Sequence, residues 1–304
     1  MVTRIATAAI QTASLDRMQQ SNTKLARLTS QITSGLKADR FQQIATDSAQ
    51  MLNLQGLRLN TDQYIENLGA ADARLKASEN ALQGMSDLIV EAANLWTLGR
   101  NENSADVRAN LAPKAENLTR TFYNLFQTKF EGRYVFSGMA GETPPITVAP
   151  TANTVPGPPP APSTYYTGDP QKDIVITGAG TTQEFGITGD NDAFANMKAG
   201  LEALWYGLEN NSVTDIDGAI DLLNQAQSDI GSTLGEVGGQ LSGFDLLKTR
   251  HENSTLFLQE RIDELEKVDI AEAITLFNQE QATLEASMLV STSLNSLSLL
   301  DFLR

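Results

Sequence analysis

Apolar residues recur three and four apart at both ends of this chain, and a repeat of that period leaves few folds open. Near the start, Leu15, Met18, Leu25, Ile32 and Leu36 form one seam, with Asn22 and Thr29 as its polar interruptions. Near the finish, Ile270, Ile274, Phe277, Leu284, Met288, Leu294, Leu297, Leu300 and Phe302 form another, closing on the apolar run LSLLDFL. A period near 3.5 residues predicts a helix that needs a partner helix along its length. Terminal segments fray unless something ties them down. Each end is therefore the natural partner of the other, and neighbouring copies come next.

The interior repeats the pattern at greater length. Over residues 46–99, Leu54, Leu57, Tyr64, Leu68, Ala71, Leu75, Leu82, Met85, Ile89, Ala92 and Trp96 keep the alternation, with Thr61 and Ser78 in its gaps. Gly56, Gly69 and Gly84 lie inside it, each weakening a helix by about 1 kcal/mol relative to Ala. The break GRNENS follows, and Ser104 is placed to cap a helix running to about Phe130, with Pro113 a candidate kink. Its stripe is Val107, Leu111, Leu118, Phe122 and Leu125.

From Gly132 the period changes. RYVFSG alternates, PGPPPAPS cannot be helical, and β-branched and aromatic residues then run between Gly and Asp turns. Helix returns at Asp190–Asp192, with Phe194, Met197, Leu201 and Leu204 on one face. A second long stretch over 213–266 carries Ile220, Leu223, Ile230, Leu234, Val237, Leu241, Phe244, Leu258, Ile262 and Leu265. Asp269 with Glu272 three residues on is a capping-box pattern opening the last helix. The expected fold is mainly α with a small β-rich insertion, a long antiparallel helical bundle whose coiled coil is formed by both chain ends. Three parts are expected: terminal helices at 1–45 plus 267–304 that order on assembly, a long bundle at 46–131 plus 191–266, and a β-rich outer insertion at 132–190.

Charge and chemistry narrow the function. With 22 basic and 37 acidic residues the net charge is −15, which repels nucleic acid and anionic membranes. There is no cysteine, so thiolate metal sites and cysteine nucleophiles are excluded. No apolar run is long enough to span a bilayer, and the first residues lack the pattern of a cleaved secretory signal. The single histidine, His251, falls on a helical seam and reads as a packing or surface residue, not a catalytic one. Asp169, Asp173, Asp190 and Asp192 lack calcium-loop spacing. GAGTTQ at 178–183 lacks the Lys-Ser/Thr ending of a phosphate loop and reads as a hairpin turn. We expect no enzyme, no catalytic residue, no metal and no cofactor.

Four stretches together resemble the flagellin superfamily, and within it the hook–filament junction branch. TRIATAAIQTASLDRMQQSNTKLARLTSQITSGLKADR is similar to the family's opening helix, with its S-x-x-x-S-G turn at Gln31–Gly35. FEGRYVFSGMAGETPPI is similar to the junction branch's GxYxFSGxxxxTxPF strand, and YYTGDPQKDIVITGAGTTQEFGITGDNDAF to its YxGD insertion. VDIAEAITLFNQEQATLEASMLVSTSLNSLSLLDFL resembles that branch's TDxxEAxTxLxQxQxxLxASxxxxxxxxxLSLLDYL end. The family's (I/V)NxPSDDP run is replaced here by LKADRFQQIATDSAQ.

The resemblance implies a structural, self-assembling protein between the hook side and the filament. It implies export without a cleaved signal through the flagellar type III channel, in an unfolded state, to an extracellular place on the flagellum. The implied partners are copies of itself, the other junction protein FlgK, flagellin, and the chaperone FlgN before secretion. The terminal seams then become the assembly interface. Rival readings are a minor flagellin that forms the filament itself, a secreted glycan-binding or enzymatic protein using the β insertion, and a coiled-coil scaffold inside the cell.

Overall fold

The computed structural model describes residues 2–37, 45–101, 104–154, 161 and 164–302, with side chains from residue 12 to 293 apart from 45–47. The chain is mainly helical: α1 (Val2–Ser34), α2 (Ala45–Asn101), α3 (Ala105–Phe126), α4 (Asp192–Glu209), α5 (Val213–Glu266) and α6 (Ile270–Phe302). Between α3 and α4 lie two antiparallel hairpins, β1 (Lys129–Phe130) with β2 (Arg133–Tyr134), and β3 (Asp173–Gly178) with β4 (Thr181–Phe185). The chain divides into two compact units, residues 61–253 and residues 1–60 with 254–304.

In the first unit α2 buries Leu68, Leu75, Leu82 and Ile89, together with Ala71, Met85 and Ala92 and a third column, Ala81, Leu88 and Leu95. A face this wide serves more than one neighbour, unlike the narrow two-column seam of an isolated coiled coil. Gly84 belongs to it: a Cβ there would stand 3.2 Å from Leu125 of α3. Gly56 and Gly69 meet nothing, and nothing in the structure explains them. Buried on α5 are Ile216, Leu223, Ile230, Val237 and Phe244.

α3 ends at Phe126, short of Phe130, and runs through Pro113 without interruption. Pro113 stands nine positions into the helix, where a missing N–H breaks one intrahelical bond. It is exposed. Ser104 is the N-cap residue, but its side chain makes no cap hydrogen bond. The α4 cap is Asn191, whose side chain accepts from the Ala193 N–H at 2.9 Å. α3 and α4 pack together, and a knot of rings joins them to the β region. Phe126 lies 4.7 Å from Phe194, 5.7 Å from Phe122 and 5.8 Å from Phe136, centroid to centroid. All four rings are fully buried.

The alternating RYVFSG segment is a strand only at Arg133–Tyr134. Beyond it the chain turns so that Val135, Phe136 and Ser137 are all buried, which an extended two-faced strand does not allow. GAGTTQ forms the turn and first residues of the β3–β4 hairpin, as its glycines and threonines indicate. β3 is fastened to α2 by a buried ion pair, Arg74 to Asp173 at 2.8 Å, while Arg74 also donates to the Tyr134 carbonyl at 2.9 Å. Arg133 approaches Asp173 at 3.4 Å. Burial nevertheless raises the Asp173 carboxyl above the usual range despite both arginines, and burial lowers the Arg74 guanidinium.

The second unit contains α1, the start of α2, the end of α5, and α6. Its exit from α1 is a left-handed glycine turn: Gly35 has φ +74°, and its N–H bonds back to the Gln31 carbonyl at 2.8 Å. The next residues pair with the α5–α6 connection. Lys37 N–H donates to the Glu266 carbonyl at 2.8 Å, Val268 N–H donates to the Gly35 carbonyl at 2.9 Å, and Leu36 sits opposite Lys267 in an isolated antiparallel bridge.

Candidate assembly interface

α6 opens as the sequence pattern predicts: the Asp269 carboxylate accepts from the N–H groups of Ala271 at 2.9 Å and Glu272 at 3.1 Å. From there α6 packs along α1. The two ends of the chain are thus joined, and the residues that face inward repeat strictly. On α1 the repeating covered positions are Ser14, Met18, Ser21, Leu25, Leu28 and Ile32, with Ser30 and Gln31 also covered at its end; on α6 they are Ala273, Phe277, Glu280, Leu284, Ser287 and Ser291. Both runs alternate four and three apart.

These inner faces are not the seams read from apolar residues alone. Met18, Leu25, Ile32, Phe277 and Leu284 are shared and half-buried, and so is Leu36. The alternate positions turn outward: Leu15 is 59 % exposed, and Asn22, Thr29, Ile274 and Met288 are also exposed, while Ile270 continues the inner series but is exposed at the first residue of α6. A 3.5-residue period permits two adjacent stripes on one helix, and apolarity does not say which of them faces the intramolecular partner. The structure turns one column of each face by one position, so that Ser14, Ser21 and Leu28 on α1 and Ala273, Glu280 and Ser287 on α6 face inward. The side chains of Leu294, Leu297, Leu300 and Phe302 lie outside the described residues.

The intramolecular contact is consequently thin. Among the described side chains, the fully buried ones are Ser21 and Gln31 on α1 and Ala273 on α6. Ser21 Oγ donates to Glu280 Oε1 at 2.6 Å, and Lys24 Nζ lies 3.7 Å from the other carboxylate oxygen. Gln31 Nε2 donates to the Lys37 carbonyl, which steadies the glycine turn. An open groove of about 770 Å³ runs between α1 and α6, floored by Ala13, Ser14, Ala282, Ala286 and Ser287, with Arg17 at its side. Val290, 57 % exposed, also lines the groove, and outside it α6 exposes Ile270, Ile274, Leu276, Met288 and Leu289, the last at 69 %. Leu276, Leu289 and Val290 were missed by a reading that followed a single column. So were Ser21, Lys24 and Glu280, although Ala273–Phe277–Glu280–Leu284–Ser287 is a legible four-three series.

The other candidates resolve into architecture. His251 Nε2 lies 2.8 Å from the Thr177 carbonyl, and its ring is 5.6 Å from that of Tyr64, so it joins α5 to the β3–β4 turn beside α2. Asp169 Oδ1 accepts from the Gln171 N–H at 2.9 Å within its own turn, and Asp173 is held by arginine. Among the described residues no cluster of histidine and carboxylates could hold a metal ion, and no helix is long and apolar enough to cross a membrane.

The family model of the bacterial flagellin N-terminal helical region matches residues 5–140. Among solved structures it is similar to a flagellar hook-associated protein of Vibrio parahaemolyticus, with TM-score 0.61 and 18% identity over 72% of this chain and 97% of that one. It is likewise similar to FlgL of Bacillus cereus, with TM-score 0.58 and 18% identity over 69% of this chain and 99% of that one. FlgL of Xanthomonas campestris gives TM-score 0.50 and 14% identity over 67% of this chain and 97% of that one. Sequence comparison with curated proteins returns no match. The flagellin-like chain therefore shares the FlgL fold, with identities too low to carry residue roles across.

Proposed function

We propose that this chain is a structural, self-assembling junction piece of the bacterial flagellum, joining the hook side to the flagellin filament. One observation carries the reading. The pair α1–α6 covers only its inner columns and leaves apolar side chains exposed, Leu15, Ile274 and Met288 on its flank and Ile270 at the start of α6. Exposed apolar stripes of this extent mark interaction surfaces, and head-to-tail copies around an axis cover such stripes without closing into a dimer. The flagellin N-terminal match and the FlgL fold support the flagellar setting. In this reading Leu294, Leu297, Leu300 and Phe302 extend the same interface, and the terminal helices gain most of their order from neighbours, since ordering costs about 1–2 kcal/mol per residue.

The partners are further copies, FlgK and flagellin, with FlgN holding the chain before it passes unfolded through the export channel to its extracellular place. No catalysis is required of it. The test is removal of residues 295–304 in the cell that makes the protein. The expected result is immotile cells that release flagellin into the medium, and normal swimming would sink the proposal. Seeded growth separates the junction role from that of a minor flagellin: long filaments from the purified chain would favour the latter. Deletion of residues 140–190 addresses the β region, where lost carbohydrate binding with intact motility would favour a glycan-binding protein.

A further inference from the structure

The contact between the chain's two ends is centred on a carboxylate. Glu280 occupies an inner-face position of α6, its side chain 19 % exposed, with one oxygen on Ser21 and the other facing Lys24. Ser21 is one of the two fully buried α1 side chains described. A polar group in the seam of a helix pair costs stability relative to an apolar one, and its attested use is to make one register different from all others. We infer that Glu280, with Ser21 and Lys24, is one of two elements that set the register of the α1–α6 pair, the other being the main-chain bridge beside Gly35.

The alternatives a heptad away show what it discriminates. In the observed register Ser21 faces Glu280, and the inner positions Leu28 and Ala273, or Ser14 and Ser287, fall at matching distances on either side. Moving α6 by seven residues one way would set Glu280 against Leu28 and Gln31, exchanging the Ser21 hydroxyl and the Lys24 ammonium for an amide that already donates to the Lys37 carbonyl. Moving it seven residues the other way would set Glu280 against Ser14 and Arg17, which repeat the spacing of Ser21 and Lys24. Glu280 alone would accept that second slip. The main-chain bridge at Leu36–Lys267 does not, because it fixes a common origin for the two helices. Carboxylate and bridge together leave one arrangement. The lock is a property of the single chain; its consequence, that every copy presents the same outer stripe, rests on the assembly reading above.

The absence of cysteine makes register directly readable by thiol trapping. Ser14 and Ser287 line the same groove, so the pair Ser14→Cys/Ser287→Cys reports the observed register on the dilute, purified full chain. With Glu280→Leu added, helix content should hold or rise while the disulfide yield falls about tenfold, the scale of losing a hydrogen bond to a charged group. Glu280→Gln, which keeps an acceptor for Ser21, should restore most of the yield. Unchanged trapping in Glu280→Leu, or a Gln variant as poor as the Leu one, would overturn the inference. Should Glu280→Leu lose helix content, Ser21→Ala decides: reduced trapping with intact helices supports the lock, and undiminished trapping refutes it. None of these readings needs assembly, so a chain that traps as expected but never joins a flagellum would refute the proposed function and leave the lock standing.

Discussion

Replacing Ile270, Ile274 and Met288 together by serine should separate assembly from folding. The three side chains are 49, 43 and 46 % exposed in the single chain. Complete burial of such a side chain is worth about 1.5–3 kcal/mol, so covering the remaining half contributes about 1 kcal/mol each, or about 3 kcal/mol together. At 1.4 kcal/mol per tenfold, the triple variant should bind its neighbours about two orders of magnitude more weakly. Isoleucine and serine have nearly equal helix propensities, and none of the three side chains is buried. The thermal unfolding midpoint of dilute chain should fall only modestly, since only about half of each of these side chains is already covered. The assay is the fraction of the protein retained in sheared flagella against that released into the medium, read beside the melting curve. Full retention with such a melt would refute the idea that these side chains are covered on assembly. A large drop in melting point would show instead that these residues hold the single chain together.

Phe126→Ala removes the ring at the centre of the aromatic knot and should cost about 3–5 kcal/mol, lowering the midpoint of tryptophan-detected unfolding by about 6–20 °C for a unit of this size. Both tryptophans, Trp96 and Trp205, lie in residues 61–253, so their fluorescence reports that unit. Phe257→Ala, at a ring 60 % exposed, should leave stability within about 0.5 kcal/mol in denaturant titration. Arg74→Met should cost about 3–5 kcal/mol by stranding Asp173 in its buried place, whereas Arg74→Met with Asp173→Leu should recover most of that loss; equal losses in both would contradict the account. Because burial raises the folded-state pKa of Asp173, the native chain holds that proton more tightly than the unfolded chain. Stability from this group is present at low pH and lost as pH rises through the raised value. Denaturant midpoints of the wild type should accordingly gain on those of Asp173→Asn as the pH falls.

What could be read from the residues was the periodic part. The columns Leu68–Leu75–Leu82–Ile89 and Leu223–Ile230–Val237–Phe244 are apolar at every step and are buried as spaced. The Asp269 cap was legible because its chemistry is local. The inner face of α1–α6 was legible only in its apolar members, because its polar contact joins Ser21 and Glu280, 259 positions apart and unremarkable separately. Apolarity pointed to both stripes at once, and only the pairing shows which one the chain uses for itself. Val135 and Phe136 misled in another way: alternation suggested a strand, while the tight turn that buries both depends on the ring of Phe126 and neighbours distant in sequence.

The bridge beside Gly35 is written in backbone atoms. Peptide groups are identical whatever side chains they bear, so mutation can recolour every residue around Leu36 and Lys267 without erasing the point from which the two terminal helices are measured. A lineage is thereby free to rework the far layers in search of new neighbours. Proline at Lys37 or Val268 is the change it cannot absorb, because either would remove an N–H that closes the joint.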